Sequence, residues 1–154
     1  MIILPEIILS IGFLLLLCIS PFIKNNSHKY IGYLSLLLIF VTQFLIVKDI
    51  FIFEEIFQGY FIIDSFGSFL KLIILISAGL VLFFYLIVKS DKSLQRPEFP
   101  LVLLISLIGM MFMVSANNLL SLFVSIELQS LALYILVSFS KEDLNSSEAG
   151  VKYF

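Results

Sequence analysis

Five long apolar runs dominate the sequence and leave few folds open to it. They cover about residues 5–23, 30–47, 66–88, 99–115 and 119–139. A helix needs about 20 mostly apolar residues to cross a bilayer. The runs are continuous, whereas the strands of a membrane barrel would be shorter and would alternate apolar with polar residues. The sequence therefore predicts an all-α, polytopic transmembrane helix bundle with five spans, forming a single membrane domain over residues 1–154.

The composition agrees with a membrane protein and argues against several functions. Hydrophobic residues make up 61% of the chain and charged residues only 13%, against about 45–50% and about 25% in soluble domains. The net charge of −2 provides no basic patch for nucleic acid. The single cysteine, Cys18, cannot form an internal disulfide or supply the four thiolates of an iron–sulfur cluster. There is no Gly-rich nucleotide loop, so we expect this chain to bind no cofactor or metal. Its apolar runs are expected to contact lipids.

Basic residues in the connecting loops predict the orientation of the bundle. In a five-span zigzag, one side carries three loops with six basic residues: Lys24, Lys29, Lys89, Lys92, Arg96 and Lys141. Positive charge favours the cytoplasmic or matrix side, which places the N-terminus on the opposite side. The other side carries Lys48 and Lys71, and Lys71, at the start of the third run, is expected to extend to the membrane surface. Glu6 is expected to be structural, favoured by the dipole at the first turn of a helix.

Residues 48–65 connect the second and third runs and are too charged to span. They are rich in Ile, Phe and Tyr, and Gly59 is suited to a turn. This pattern predicts an interfacial hairpin or a short amphipathic element.

The fifth run carries polar residues on two sides. At 100° per residue, Glu127, Ser130, Tyr134 and Ser138 share one helix face. A second stripe, on roughly the opposite face, consists of Ser121, Ser125 and Gln129. A helix surrounded by lipid would not carry polar groups on two sides, so the pattern indicates a helix enclosed by other helices.

Glu127 lies near the middle of the fifth run, where a charge costs at least a few kcal/mol. Glutamate is too short to reach the interface, so the carboxyl group is either protonated or paired with a cation or bound water. Burial favours its neutral form and a nearby cation favours its charged form. A group with this sensitivity suits proton transfer; the alternative is a protonated glutamate that joins two helices. No other run offers it a basic partner at its depth.

The last residues, "NSSEAGVKYF", indicate the start of a sixth helix at about residue 146. Asn145 and Glu148 have the spacing of a capping box. Glu148 and Lys152 are one turn apart and are expected to form an ion pair. The chain has no room to complete this helix as a span.

Two stretches near the end carry a resemblance to a known family. They are "SANNLLSLFVSIELQSLALYILVSF" and "SSEAGVKYF", which show an Asn-containing turn, then LFxxIELxSL, then EAxxKY. "GYFIIDSFGSFLK" and the "PEI" of residues 5–7 match more loosely. These residues resemble subunit 2 of respiratory complex I, the proton-pumping NADH:quinone oxidoreductase. The sister antiporter-like subunits usually show a Trp-Glu-Gly pattern here, and this chain has no Trp.

The resemblance implies the N-terminal part of an antiporter-like subunit that supplies part of a proton channel. Glu127 matches the family's fifth-helix glutamate, part of the proton path. Lys152, with Glu148 as its possible partner, matches the start of the sixth helix, where the lysine lies along a central polar axis. NADH, FMN, the iron–sulfur clusters and ubiquinone would be bound elsewhere in the complex.

The family's seventh helix, with a lysine that pairs with the fifth-helix glutamate, has no counterpart in the 154 residues. We therefore expect a second polypeptide to carry the remaining helices of a split subunit, or the chain to be a piece of a longer one. The other membrane-arm subunits would be further partners.

Two other functions fit the same residues. The first is a subunit of a multi-subunit cation/proton antiporter, which shares this helix plan. The second is a membrane anchor or assembly subunit in which Glu127 only joins helices.

The Phe-, Ile- and Leu-rich composition favours the mitochondrial inner membrane, with a bacterial plasma membrane as the alternative.

Overall fold

The computed structural model describes residues 4–23, 27–48, 53–56, 59–87, 96–139 and 144–153. Within these ranges the chain forms six α-helices, a 3-10 turn and a two-stranded hairpin. In chain order they are α1 Leu4–Ile19, the turn Ser20–Phe22, α2 Ser27–Lys48, β1 Glu54–Ile56, β2 Phe61–Ile63, α3 Ser65–Ile87, α4 Glu98–Ser115, α5 Leu119–Val137 and α6 Leu144–Tyr153. Helices α2 to α5, and α1 together with the 3-10 turn that continues it to Phe22, are long and apolar enough to span a membrane. The prediction of five spans followed by the start of a sixth helix is confirmed.

Helix α6 begins earlier than the sequence predicted. Its first residue is Leu144, so Asn145 already lies inside the helix. The prediction that Asn145 caps this helix is therefore wrong, because a cap residue stands just before the first helical residue.

Helix α4 is the centre of the bundle. It packs against α1, α2, α3 and α5, most extensively against α5. Its buried residues include Leu104, Leu107 and Met111, which are fully enclosed. The other four spans bury a smaller part of their surface and expose large apolar side chains. These outer faces need no protein cover in a bilayer, because lipid tails are as apolar as leucine.

A hairpin closes one end of the bundle. Its strands pair antiparallel, with Glu54 opposite Ile63, and Gly59 at the turn has a φ of +84°, which glycine adopts without strain. The Asn117 side chain donates a 2.8 Å hydrogen bond to the Gly59 carbonyl, and the Asn117 N–H donates to the Tyr60 carbonyl at 3.0 Å. The predicted hairpin is thus confirmed in its described residues and lies beside the α4–α5 turn, as the zigzag requires.

The loop lysines that predict the orientation, Lys24, Lys89, Lys92 and Lys141, lie outside the described residues. The assignment of the two membrane sides therefore stays a prediction.

Lys71 does not reach the surface of the bundle. Its side chain is 4% exposed, and its Nζ lies 2.5 Å from Oε1 of Glu6, which is equally buried. The prediction that Lys71 extends to the membrane surface is wrong, because a carboxylate lies within its reach inside the bundle. Glu6 is likewise more than a favourable charge at a helix start, since its carboxylate joins two helices.

Candidate functional site

Helix α5 is the candidate site, and its start is fixed by a capping box. Asn118 has an extended backbone and precedes the first helical residue. Its side-chain oxygen accepts a hydrogen bond from the Leu120 N–H at 3.2 Å. In return, the Asn118 N–H donates to Oγ of Ser121 at 3.2 Å. These bonds use donors that a helix start otherwise leaves unpaired, so the beginning of α5 is well defined.

One polar stripe of α5 faces inward, toward α4 and the hairpin. Ser121 and Ser125 are buried. Ser121 Oγ donates to the Tyr60 carbonyl at 3.0 Å, and Ser125 Oγ donates to the Ser121 carbonyl at 2.7 Å. Gln129, the third member, has its backbone N–H beside Gly109 of α4. The inward stripe therefore allows a close helix contact in which its hydroxyl groups are satisfied.

The other polar stripe faces out of the bundle. Glu127 is exposed on it, and Ser130 Oγ donates to the Glu127 backbone carbonyl at 3.0 Å. The apolar residues around the carboxylate, Phe123, Val124 and Leu131, are between 46% and 65% exposed. Within the described ranges, no Lys or Arg forms an ion pair with Glu127. The two predicted stripes are present, and the described residues cover the inward stripe but leave Glu127 on the outward stripe exposed.

Helix α6 packs against the end of the outward stripe. The Tyr153 ring lies 5.4 Å from the Tyr134 ring, and a Cβ at Gly150 would come within 2.6 Å of the Ser138 side chain. The predicted pair is present, with Lys152 Nζ 2.6 Å from Glu148 Oε1 and both side chains more than 60% exposed. Thus the helix that carries Lys152 contacts the stripe that carries Glu127.

The described residues contain no group of three or more His, Cys, Asp or Glu side chains placed to hold a metal ion. Helix α5 carries carboxyl and hydroxyl groups, and α6 beside it carries the amine of Lys152. Such groups can hold and pass protons.

Reasoning from the sequence missed the buried pair of Glu6 and Lys71. Each residue was interpreted alone, one through a helix dipole and the other through its long side chain. The available signal was that both are charged residues near the starts of apolar runs that begin on the same membrane side.

Several known proteins are similar in sequence to this chain. A family described as "NADH:quinone oxidoreductase/Mrp antiporter, TM" matches residues 116–154, which include all of α5 and α6. The chain is 39% identical to NADH-quinone oxidoreductase subunit N of Bartonella bacilliformis, over 99% of its own length. Two further relatives carry the same name. Subunit N of Parvibaculum lavamentivorans is 38% identical over 98% of the chain, and that of Rhodospirillum rubrum is 37% identical over 98%.

The similarity extends over almost the whole chain but over only part of each relative. The chain spans about a third of the length of subunit N, 31% in each of these three species. The resemblance to subunit 2 of complex I is confirmed by these homologues, and with five candidate spans the chain is a multi-pass membrane protein.

Proposed function

We propose that this chain is the N-terminal part of a membrane-arm subunit of the proton-pumping NADH:quinone oxidoreductase, in which Glu127 carries protons. The observation that supports this role most strongly is the position of Glu127. It lies in the middle of a membrane-spanning helix, on a face that the described part of the chain leaves uncovered. The homologues, named as subunits of NADH-quinone oxidoreductase, support the choice of complex.

The uncovered carboxylate requires a neighbour. A charge that faces lipid at mid-depth costs at least a few kcal/mol, so Glu127 must be protonated, hydrated or paired when the protein is assembled. A lysine from another helix, in direct contact or through one water, would hold Glu127 ionised, and withdrawal of that lysine would favour proton uptake. The carboxyl group then alternates between two protonation states, as a proton carrier requires.

We propose that the neighbouring helices belong to the remainder of the subunit. The relatives are about three times as long as this chain, and their additional residues would supply helices to cover the Glu127 stripe. A second polypeptide is the proposed carrier of these helices; continuation of the same chain is the alternative. The remaining membrane-arm subunits would surround this bundle.

The proton path is proposed to continue toward α6. Tyr134 and Ser138 lie between Glu127 and α6 on the outward stripe, and both contact α6. Lys152 is the amine that this helix offers, with Glu148 as its partner. An exposed pair of this kind is weak, so the Lys152 amine can leave Glu148 for another partner. We assign Lys152, held by Glu148, as a second proton-carrying group.

A cation/proton antiporter is the second candidate function. The matching family is described as covering both the oxidoreductase and the Mrp antiporter, and an intramembrane glutamate serves either system. The named relatives favour the oxidoreductase. In the third possibility, a membrane anchor, Glu127 would only hold helices together and its protonation would have no transport role.

The proposed location is an energy-converting membrane. The richness in Phe, Ile and Leu supports the mitochondrial inner membrane. The three relatives named above are bacterial and make a bacterial plasma membrane the alternative.

Purification of the chain from its native membranes through an affinity tag tests this proposal. We expect NADH:quinone oxidoreductase activity to co-purify with the chain. Sodium-dependent proton exchange without NADH oxidation would favour the antiporter, and neither activity would favour the anchor. The intact mass of the tagged chain separates the two partner arrangements. A mass of 17.5 kDa plus the tag means a split subunit, and a mass about three times larger means one continuous chain.

A further inference from the structure

The ion pair of Glu6 and Lys71 lies outside the Glu127 site and joins the first and third helices. Oε1 of Glu6 and Nζ of Lys71 are 2.5 Å apart, and each side chain is 4% exposed. Helix α1 packs mainly against α2 and α4 and has little other contact with α3. We propose that this pair is a positioning clamp that sets the depth and rotation of α1 in the bundle.

The lengths of the Glu6 and Lys71 side chains allow the pair to set the depth of α1. Lys71 is the seventh residue of α3, so its Cα lies about 9 Å along the helix from the first residue. Side chains on a helix lean toward its N-terminus, so the long lysine side chain extends back toward the level of the first turn. Glu6 is in the first turn of α1. The two groups meet only when α1 has one particular depth relative to α3.

The rest of the α1 interface is poorly suited to define that depth. Besides Glu6, the buried residues of α1 are Pro5, Leu9 and Leu16. Its other faces carry apolar side chains that are about half exposed, among them Ile7, Ile11, Leu14 and Leu15. In lipid there is no hydrophobic force that drives leucines toward protein, so these apolar contacts, including that of the flexible Leu38 side chain against Gly12, resist sliding and rotation only weakly. An ion pair between one residue of α1 and one residue of α3 opposes both motions.

The pair is suited to holding a helix rather than to carrying protons. Its charges cancel, so a change in its proton content would leave a net charge buried in the bundle. Within the described residues, the second oxygen of Glu6, Oε2, has no hydrogen-bond partner. A buried pair that is only partly satisfied adds little stability, and its best-supported use in other proteins is to specify one arrangement over others. Glu127, in contrast, lies on an open face.

Native Cys18 offers a direct measurement of the clamp. It is the only cysteine of the chain, and it is exposed near the end of α1. A nitroxide attached to Cys18 in the purified protein, reconstituted in phosphatidylcholine vesicles, reports the depth of α1 through its accessibility to oxygen and to a nickel chelate. No engineered cysteine is needed.

The decisive variants separate positioning from stability. In Lys71→Met, and in the double variant Glu6→Gln/Lys71→Met, we expect the Cys18 label to move by about 3 Å, the rise of two residues. The double variant should nevertheless accumulate in the membrane as the wild type does, because it leaves no uncompensated charge. Lys71→Arg should keep the native depth. Lys48→Met is the matched control, since it removes an exposed lysine from the same end of the bundle.

The result that overturns the proposal is a native label depth in the double variant, which would mean that the pair is tolerated but sets nothing. A native depth in Lys71→Met would overturn it equally. The measurement is independent of the proposed proton path, because it requires neither NADH oxidation nor Glu127.

Discussion

Gly109 of α4 lies directly against the backbone of Gln129 in α5. A Cβ at position 109 would come within 2.8 Å of the Gln129 nitrogen and 3.0 Å of its Cα. The two helices form the most extensive contact in the bundle. Because backbone atoms cannot turn away as a side chain can, the absence of a side chain at Gly109 determines how close α5 approaches and how the Glu127 face is turned.

Replacement of this glycine should therefore loosen the α4–α5 contact. We expect Gly109→Ala to destabilise the chain by about 1–3 kcal/mol, the usual cost of overpacking. Gly79→Ala is the matched control, because among the described residues its Cβ would meet Ile39 at 3.9 Å, an ordinary contact distance. Thermal unfolding of the purified chain in detergent measures both variants. Equal midpoints for the two would show that the α4–α5 approach is not limited by residue 109.

Asn118 should contribute to stability through its cap. The variant Asn118→Ala removes the oxygen that accepts from Leu120 and should cost about 1 kcal/mol. Asn118→Asp retains an acceptor at the same place and should remain close to the wild type. The same unfolding assay measures both. If the aspartate variant loses as much stability as the alanine variant, the capping bond is not the source of the effect.

The orientation of the bundle predicts which residues can be labelled from each side of the membrane. In a chain with Cys18→Ser, Lys24→Cys and Lys92→Cys should react with an impermeant thiol reagent only from the cytoplasmic or matrix side. Asn117→Cys and Glu54→Cys should react only from the other side, because they lie at the hairpin end. Labelling of positions 24 and 92 from opposite sides would contradict the zigzag.

The sequence predicted the features that depend on a single segment. The spans follow from length and apolarity. The two stripes of α5 follow from helical periodicity, so Ser121 and Glu127 were correctly placed on opposite faces of the helix. The hairpin at Gly59 follows from local turn chemistry. Likewise, the ion pair of Glu148 and Lys152 requires only a spacing of four residues.

The features that the sequence did not predict depend on which helices are neighbours. Glu6 and Lys71 are 65 residues apart in the chain, and neither residue by itself indicates the other. The contact between Gly109 and Gln129 likewise arises from the packing of two helices whose periodicities do not specify it. For the same reason, the uncovered side of α5 became visible only when the arrangement of α1 to α4 was known.

The most direct test of the proposed function is the rate of proton pumping by the Glu127→Gln variant in sealed vesicles that contain the complete complex. Glutamine keeps the size of the side chain but cannot release a proton, so we expect insertion to be normal and pumping to fall by about tenfold or more. Turnover of NADH should fall with it if coupling is tight. Glu127→Asp should be affected less, because it keeps the carboxylate but withdraws it by one methylene. Glu55→Gln, which removes an exposed carboxylate from the hairpin, should pump normally. Full pumping by Glu127→Gln would contradict the proposal that Glu127 carries protons.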